Sequence, residues 1–590
     1  MSERQSPTGM RRFAKLFVFE LWPWYLGGAA CLAITNIISL EIPQLAKALV
    51  NHLHEGVKAT DVDAAKLPNL ALAIMGLGLA QIFVRSSSRI LIFWPGRKLE
   101  ASSKSYIFHR VMRLPQRFYD RYGMGDLISR FSNDLGQLRI FFAFGVLQIL
   151  NLIFISGFTL IQMLKVHKLL TLTALCPIVL MLIITKIIMP KMQAFTRKNQ
   201  EAVGLLTNRV TETFTNIHVI QTNASERSFQ ALIAEENQKV YATDMKVLML
   251  RTLFFPLMTA LTGLSQLIVL FYGGLLVTEK LISIGDILAF NIYLSYLAFP
   301  LTSIGIIISV YQRSKTALER IEPFFSETLE GKDEAAKAVS PGQADAQVVI
   351  RDLNFQYPSS EHQVLKGLNL SIRKGEMLGV CGAVGSGKST LFHLLTRLYN
   401  PPKETMFIEG KDVLAIEAQE LRENVAYALQ KVHLFSASIR DNLAFGLTQK
   451  PSEEDMIAGA KAAQIYKEIE SFPEKWDTQI GEKGLRLSGG QKQRLALARL
   501  FLRRPKLLLL DDVLSAVDNL TEARLIQEFR KLNCTMIINS HRGSVLDLCD
   551  RVIYLKDGGI FDQGPFQELM LRHPELQEEI HEQAAPETTV

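Results

Sequence analysis

The stretch Gly382-Ala-Val-Gly385-Ser-Gly387-Lys388-Ser389 is the most informative part of the sequence. It matches the pattern G-x-x-x-x-G-K-[ST] at every fixed position, and it lies between a strand-like run, residues 377–381, and a helical pattern that begins at Thr390. In such a loop, backbone amides and a helix N-terminus surround the phosphates of a nucleotide. We therefore expect an α/β domain that binds a nucleoside triphosphate at this loop.

The side chains of the loop have distinct expected roles. Lys388 is expected to reach the β and γ phosphates, and the Ser389 hydroxyl is expected to ligate Mg²⁺. The predicted nucleotide-binding residues of this segment are Gly382, Ala383, Val384, Gly385, Ser386, Gly387, Lys388, Ser389 and Thr390.

A second run, Lys506-Leu-Leu-Leu-Leu510-Asp511-Asp512, has the composition of a buried strand that ends in two acids. An acid at such a strand end holds Mg²⁺ in proteins with a phosphate-binding loop. Asp511 is therefore predicted to be the residue on the metal side.

Long apolar stretches fill the N-terminal half of the chain. The protein has 590 residues, of which 48% are hydrophobic and 21% are charged. Crossing a bilayer takes roughly 20 apolar residues, and most of the windows without Asp, Glu, Lys or Arg are long enough alone. These windows are residues 21–40, 140–164, 169–185, 252–278 and 287–312. A purely soluble protein is excluded.

Six membrane helices fit this pattern. In the second, Arg85 and Arg89 share one face, which either looks into the bundle or lets both side chains snorkel. The connecting segments 95–137 and 191–251 are long and rich in Lys and Arg, so the positive-inside rule places them and both termini in the cytoplasm. The predicted helices are about residues 17–45, 67–94, 138–164, 169–190, 252–277 and 284–311.

The predicted location is the cell membrane, which is the inner membrane if the source is Gram-negative, with the nucleotide-binding domain in the cytoplasm. Two turns, within residues 114–130 and 216–225, form the tips of the long segments and are candidate contacts with the C-terminal half. Residues 1–350 carry 35 Lys+Arg against 25 Asp+Glu, whereas residues 351–590 carry 30 against 33. The net charge of +7 thus reflects topology, and we predict no nucleic-acid partner.

The predicted fold class is multidomain: a six-helix, all-α transmembrane domain followed by an α/β P-loop nucleotide-binding domain. β-branched runs alternate with helical patterns in the C-terminal half, which indicates a substantially parallel sheet. The predicted boundaries are a transmembrane domain with long cytoplasmic extensions at 1–329, a linker at 330–346, the nucleotide-binding domain at 347–582 and a disordered tail at 583–590.

A third motif, Leu487-Ser-Gly-Gly-Gln491, lies between the other two. With it, almost the entire chain resembles the ATP-binding cassette (ABC) exporters of the type IV fold, specifically half-transporters with six membrane helices and one nucleotide-binding domain. The resemblance implies ATP and Mg²⁺ as cofactors and an ATPase coupled to transport. In this family the signature acts on ATP held by the opposite subunit, so one loop and one signature per chain imply a dimer. The signature residues are Leu487, Ser488, Gly489, Gly490 and Gln491.

The resemblance implies further roles where residues match. Tyr357 resembles the aromatic residue that stacks on adenine, with a core strand tyrosine as the alternative. Gln430 resembles the glutamine that senses Mg²⁺ and the attacking water, and His541 resembles the switch histidine that contacts the γ-phosphate. The segment with Ser515 and Asp518 resembles the loop that couples the two sites. The segments that contain Asp126 and Glu482 resemble the elements that join the domain to the membrane helices.

Asp512 departs from the family pattern, which usually has a glutamate there to activate the attacking water. Aspartate is one methylene shorter, so its carboxylate is expected to lie ~1.5 Å short, and general-base catalysis requires hydrogen-bond reach. With an intact signature, the chain resembles the Asp-bearing subunit of heterodimeric bacterial multidrug exporters. Its own site is then weakened, while its signature serves the partner.

The predicted function is ATP-driven export of amphipathic small molecules or lipids across the cell membrane by alternating access. The expected partners are a second ABC half-transporter, in a heterodimer rather than a homodimer, membrane lipid and the amphipathic substrate. One alternative is a homodimeric lipid or drug flippase that hydrolyses ATP with Asp512. A second is a non-transport, ATP-gated regulatory membrane protein, although nothing in the sequence resembles an added regulatory domain.

Overall fold

The structure, a computed structural model, describes residues 13–59, 66–331, 345–358, 360–447, 449–481, 487–514 and 517–576. It divides into two compact units. The first contains the described residues of Met1–Val111 and Gly125–Ser326, and the second contains those of Met112–Met124 and Glu327–Val590. Most of the predicted linker and the whole predicted tail lie outside the described residues. The second unit is discontinuous in sequence, because it includes a short segment from the N-terminal half.

Helices build the described part of the chain up to Ser326. A π-helical turn, Ala14–Val18, and a 3-10 turn, Phe19–Leu21, precede the first α-helix. The α-helices are α1 (Trp22–Ala59), α2 (Lys66–Val111), α3 (Gln116–Arg121), α4 (Met124–Ser129), α5 (Leu135–Ile140), α6 (Val146–Val166), α7 (Lys168–Thr215), α8 (Ile217–Thr222), α9 (Glu226–Thr278), α10 (Ile284–Ile321) and α11 (Pro323–Ser326). The π-helical segments Arg130–Asp134 and Phe141–Gly145 join α4, α5 and α6 into one helical path.

Five helical segments are long and apolar enough to cross a membrane: Phe19–His54, Pro68–Val111, Met124–Val166, Lys168–Thr215 and Glu226–Thr278. The last predicted span lies in α10, and the first part of that helix, Ile284–Leu297, is an apolar segment that is by itself shorter than a span. A transmembrane helical domain is thus present, and the sixth span stays a prediction.

The second predicted span is one continuous helix, α2. Its buried edge includes Ser88 and Ile92, whereas Arg85 and Arg89 are exposed on the single chain. At residue 94, where the predicted span ends, the Trp94 ring packs 4.4 Å from the Trp24 ring of α1. Paired tryptophans are typical of the membrane interface. Because α2 is continuous from Lys66 to Val111, the two arginines do not interrupt the helix.

The last long helix, α10, begins with a capping box. The backbone N–H of Asp286 donates to Ser283 Oγ at 3.2 Å, and the backbone N–H of Ser283 donates to Asp286 Oδ2 at 2.9 Å. These bonds satisfy donors that a helix start leaves unpaired. Asp286 also pairs with Lys47 Nζ of α1 at 2.6 Å, which ties this helix start to the first helix.

The second unit is an α/β domain with two sheets. One is a four-stranded antiparallel sheet of order β2-β1-β4-β5, and the other has six strands in the order β10-β9-β3-β8-β7-β6. In the larger sheet, β9, β3, β8, β7 and β6 are parallel and β10 is antiparallel to β9. The strands are β1 (Ala346–Gln356), β2 (Gln363–Arg373), β3 (Met377–Gly382), β4 (Met406–Ile408), β5 (Lys411–Asp412), β6 (Val425–Ala428), β7 (Leu507–Asp511), β8 (Thr535–Asn539), β9 (Arg551–Lys556) and β10 (Gly559–Gly564).

Every residue of β3, β7 and β8 is buried. Strands covered on both faces are continuous apolar runs, and this explains the four consecutive leucines of β7. The helices of this unit are α12 (Lys388–Leu395), α13 (Ala418–Asn424), α14 (Ile439–Ala444), α15 (Glu453–Ala462), α16 (Tyr466–Ser471), α17 (Gly489–Arg503), α18 (Asn519–Arg530), α19 (Gly543–Leu546) and α20 (Phe566–Arg572). The carboxyl ends of the parallel strands meet at one edge, where such folds bind ligands.

Candidate nucleotide-binding site

The glycine loop connects β3 to α12 in a conformation that requires glycine. Gly382 and Gly387 have φ angles of +144° and +102°. A Cβ atom at Gly382 would lie 2.2 Å from the carbonyl oxygen of Leu555, and one at Gly387 would lie 2.6 Å from Leu365 Cδ2. Positive φ strains a side chain at both positions, and at Gly382 the backbone oxygen of Leu555 also leaves no room for one. The loop therefore has the strand–loop–helix geometry that the sequence predicts.

Polar groups of the loop are arranged around the start of α12. Lys388 is buried, and its Nζ donates to the carbonyl oxygens of Gly382 at 2.7 Å and Ala383 at 2.9 Å. Ser386 Oγ is buried and has no hydrogen-bond partner among the described residues. A buried hydroxyl beside a lysine and a helix N-terminus fits a phosphate group, which would accept its hydrogen bond. The residues present therefore fit the phosphates of ATP.

The remaining loop residues differ in exposure. Val384 is 83% exposed at the tip of the loop. Ser389 is half-buried in the first turn of α12, the position expected for a residue that reaches a metal ion next to the phosphates. Its role as a Mg²⁺ ligand stays a prediction.

Tyr357 follows directly after β1 and is anchored to α12. Its hydroxyl lies 3.0 Å from Thr390 Oγ1 and 3.2 Å from His393 Nδ1, and its ring meets the Tyr399 ring edge-on at 4.8 Å. Burial raises the pKa of Tyr357, so its hydroxyl remains protonated. The structure shows a packed tyrosine next to the phosphate loop helix, and its role under adenine stays a prediction.

Asp511, at the end of β7, is 4% exposed and accepts two side-chain hydrogen bonds. The Tyr427 hydroxyl donates to Asp511 Oδ2 at 2.9 Å, and Asn539 Nδ2 donates to Asp511 Oδ1 at 2.6 Å. Both donors come from strands that flank β7 in the sheet, β6 and β8. Neither donor was predicted from the sequence.

Asp512 and Gln430 lie next to each other. Gln430 Nε2 is 3.5 Å from Asp512 Oδ2, and the backbone N–H of Asp512 donates to the carbonyl oxygen of Asn539 at 2.9 Å. Asp512 has a φ of +47°, a left-handed conformation. Burial raises the pKa of Asp512, and the negative charge of Asp511 adds to the effect, while the amide of Gln430 and the nearby cations oppose it.

The other predicted residues after β7 are placed individually. His541 follows β8 by two residues and is half-buried. Asp518 is the N-cap of α18, where its Oδ1 accepts hydrogen bonds from the backbone N–H groups of Thr521 at 3.0 Å and Leu520 at 3.2 Å. The bond from Thr521 is the main cause that lowers the pKa of Asp518. Ser515 and Glu482 lie outside the described residues.

The signature motif forms the start of α17. Ser488 Oγ accepts a hydrogen bond from the backbone N–H of Gln491 at 3.3 Å, and the Gln491 side chain accepts one from the backbone N–H of Ser488 at 3.0 Å. This reciprocal pair is a capping box. Leu487 is buried before the cap, and Gly489 and Gly490 form the first turn. An exposed, capped helix N-terminus can approach an anion.

Asp126 is placed in a charged network within the first unit. Asp126 Oδ2 accepts from Arg130 Nε at 2.8 Å, and its Oδ1 accepts from Arg320 Nη2 at 2.5 Å. Arg320 Nη1 also lies 3.3 Å from Asp134 Oδ2. The network therefore fastens α4 to α10.

The tip itself belongs to the second unit. Arg117 of α3 pairs with Glu327 at 3.1 Å and donates to the hydroxyl of Thr328 at 3.0 Å. Glu330 accepts a bidentate pair of bonds from Arg422 at 2.8 and 3.2 Å, and its backbone N–H donates to the carbonyl oxygen of Arg113. The other predicted tip, residues 216–225, belongs to the first unit.

The fold and the loop together define a membrane protein that carries a P-loop ATPase domain. Two protein-family models match the chain: "ABC transporter transmembrane region" over residues 26–301 and "ABC transporter" over residues 365–515. The chain is 30% identical over 573 residues to the probable multidrug resistance ABC transporter ATP-binding/permease protein YheI of Bacillus subtilis, with 96% of each chain covered.

Other relatives give the same result. The multidrug resistance-like ATP-binding protein MdlA of Escherichia coli is 28% identical, with 94% of each chain covered. The ATP-dependent lipid A-core flippase of Thiobacillus denitrificans is 27% identical, with 96% of this chain and 97% of the relative covered. A solved bacterial Atm1-family ABC exporter with ATP bound shares the fold, with a TM-score of 0.80 at 22% identity over 96% of this chain and 99% of that one.

The chain belongs to the ABC transporter family. It has the type IV ABC exporter fold, with a transmembrane helical domain followed by an α/β nucleotide-binding domain. It is an ATP-binding membrane protein and an ATPase coupled to transport.

Proposed function

We propose that the chain is one half of a heterodimeric exporter that uses ATP to move amphipathic small molecules or lipids across the cell membrane. The substrate classes are those in the names of the relatives, which are multidrug resistance proteins and a lipid A-core flippase. The Lys- and Arg-rich segments 95–137 and 191–251 support an orientation with both termini and the nucleotide-binding domain in the cytoplasm. The partner is a second ABC half-transporter.

One observation carries the heterodimer: Asp512 stands at the catalytic position while the signature of the same chain is intact. Its backbone N–H donates to the carbonyl oxygen of Asn539 at 2.9 Å, and this bond ties the residue to the neighbouring strand. Gln430 Nε2 lies 3.5 Å from Asp512 Oδ2, so the two proposed catalytic side chains are neighbours. A base that lies ~1.5 Å short is expected to lose efficiency, because proton transfer requires hydrogen-bond reach.

The residues divide between two sites. At its own site, Lys388, Ser386 and the backbone amides of the loop would hold the phosphates of ATP. Ser389, Gln430 and Asp511 would hold Mg²⁺, which shields the phosphate charge. Tyr357 would contact adenine, and His541 would contact the γ-phosphate. Ser488 to Gln491 would complete the site of the partner, and Asp518 belongs to the segment that would couple the two sites.

The ATPase activity of the purified chain tests the dimer. We expect low activity for the chain alone and high activity after it is combined with a half-transporter that carries Glu at the position of Asp512. In the combined protein, Ser488→Ala should reduce turnover more than Asp512→Ala does. Strong activity of the chain alone, abolished by Asp512→Ala, would instead establish the homodimer.

A matched control separates catalysis from helix capping. Ser452 caps α15 as Ser488 caps α17, and its Oγ accepts the backbone N–H of Asp455 at 3.1 Å. Ser452→Ala removes an equivalent cap, so the two variants should lose similar stability, about 1 kcal/mol each. Turnover should fall only for Ser488→Ala.

Transport in proteoliposomes distinguishes an exporter from an ATP-gated regulatory protein. We expect the reconstituted dimer to move an amphipathic dye or a fluorescent phospholipid in one direction when ATP is hydrolysed. ATP binding that changes the conformation without vectorial movement would contradict the proposal.

A further inference from the structure

The acidic residue at the end of β7 is oriented by two neutral donors. The bonds from Tyr427 and Asn539 reach different oxygens of the Asp511 carboxylate, at 2.9 and 2.6 Å. An ionised carboxylate offers about four acceptor positions, so each oxygen keeps one for a further ligand. Because the donors lie on opposite flanking strands, the two bonds also fix the rotation of the carboxylate.

Tyr427 is wedged between Asp511 and the helix that follows the phosphate loop. Its ring meets Phe392 at 5.8 Å and His393 at 6.1 Å, both edge-on. The packing on α12 sets the position of the Tyr427 hydroxyl.

Asn539 connects the two acids. Its side chain is 4% exposed, its Nδ2 donates to Asp511, and its backbone carbonyl oxygen accepts the N–H of Asp512. Its Oδ1 has no hydrogen-bond partner among the described residues, so the contact with Asp511 is the one that orients the amide. One residue thereby fixes both strand-end acids.

We propose that Tyr427 and Asn539 are positioning residues that hold the Asp511 carboxylate in the orientation that binds Mg²⁺ together with the nucleotide. Neither donor is charged, so they orient the carboxylate without cancelling the negative charge that attracts the ion. Outer partners of metal-ligating groups typically contribute 10–100-fold to metal affinity or activity. The inference rests on the proposed nucleotide site and adds the residues that set its metal affinity.

The test measures how nucleotide binding depends on Mg²⁺. Tyr427→Phe retains the ring that packs on α12 and removes one donor, and Asn539→Leu removes the other donor at similar volume. Binding of a fluorescent ATP analogue to the full chain is titrated with Mg²⁺, and binding of Mn²⁺ in the presence of ATP is followed by electron paramagnetic resonance. Each variant should raise the half-saturating metal concentration by about 10-fold. The affinity for the analogue in EDTA should be unchanged.

Tyr466→Phe is the matched control, because Tyr466 lies in α16 and its ring contacts Trp476 at 6.2 Å and Lys461 Nζ at 5.2 Å. An unchanged Mg²⁺ requirement in Tyr427→Phe would overturn the inference. An equal loss of affinity with Mg²⁺ and with EDTA would also overturn it, since that result indicates a structural role.

Folding of each variant is checked by its melting temperature. If Tyr427→Phe does not fold, Asn539→Leu is judged by the same two criteria. Failure of the wild-type chain to bind the analogue at all would refute the proposed nucleotide site itself. Normal wild-type binding with unaffected variants would refute only the positioning roles.

Discussion

The Tyr399 hydroxyl donates a hydrogen bond to the carboxylate of Asp120. Asp120 lies in α3, the helix at the tip that the transmembrane part of the chain contributes to the second unit. The Tyr399 ring meets Tyr357 at 4.8 Å, and the Tyr357 hydroxyl contacts Thr390 of α12. Two tyrosines therefore join the tip to the helix that follows the phosphate loop.

Tyr399→Phe should loosen the tip while leaving nucleotide binding nearly unchanged. A hydrogen bond to a charged group contributes about 1.5 kcal/mol at a site as exposed as this one, so amide exchange in α3 should become roughly 10-fold faster. Stimulation of the ATPase by transported substrate should fall in parallel. Hydrogen–deuterium exchange of Gln116–Arg121 is the measurement, with Tyr466→Phe as the control. Unchanged exchange in α3 would contradict the prediction.

Two glycines of the phosphate loop should differ in their tolerance of alanine. Gly385 has a φ of +84° with open space around its Cβ direction, so Gly385→Ala should lose about 1–2 kcal/mol from backbone strain alone. At Gly387 a Cβ would also lie 2.6 Å from Leu365 Cδ2, so Gly387→Ala should lose at least about 1 kcal/mol more. Denaturant unfolding of the two proteins without nucleotide provides the comparison, and equal losses would show that Leu365 moves freely.

Asp512 should make stability depend on pH. Burial raises its pKa in the folded protein, so its contribution to stability is present below the pKa of the unfolded chain and is lost as the pH rises through the folded pKa. Without nucleotide, the melting temperature of Asp512→Asn should therefore rise relative to that of the wild type as the pH is raised from 4 to 7.

Asp518 provides a control of opposite sign for that experiment. Hydrogen bonds, first of all the one from Thr521, lower its pKa, so its contribution is present above the unfolded pKa and is lost as the pH falls through the folded pKa. The difference between wild type and Asp518→Asn should then shrink toward low pH. The same trend in both variants would refute the assignment for Asp512.

The local geometry of the site could be predicted from contiguous sequence. The phosphate loop is specified by glycines within eight residues, Gly382 to Ser389, and the strand and helix on either side are determined by adjacent apolar patterns. The same holds for α17, because the residues that cap it, Ser488 and Gln491, are three positions apart. Short-range physics fixed these elements, so the sequence patterns were sufficient.

The support around Asp511 could not be predicted in this way. Tyr427 is 84 residues away in sequence and Asn539 is 28 residues away. They meet only because the sheet order places β6 and β8 on either side of β7. Strand order depends on the packing of the whole domain, and a tyrosine or asparagine in a strand pattern gives no sign of its partner. The hydrogen bond between Asp120 and Tyr399 could not be predicted either, because the two residues are 279 positions apart in sequence.

Residues 112–124 are grouped with residues from Glu327 onward, and this grouping constrains how the protein is made. During translation the tip leaves the ribosome long before its partners Glu327, Glu330 and Tyr399 have been synthesised. It must therefore wait, already attached to helices that enter the membrane, until the C-terminal domain is complete. A fragment expressed from Glu327 would lack α3, and Tyr399 would lose its partner. Assembly of this domain is thus a late event that closes around a segment made early.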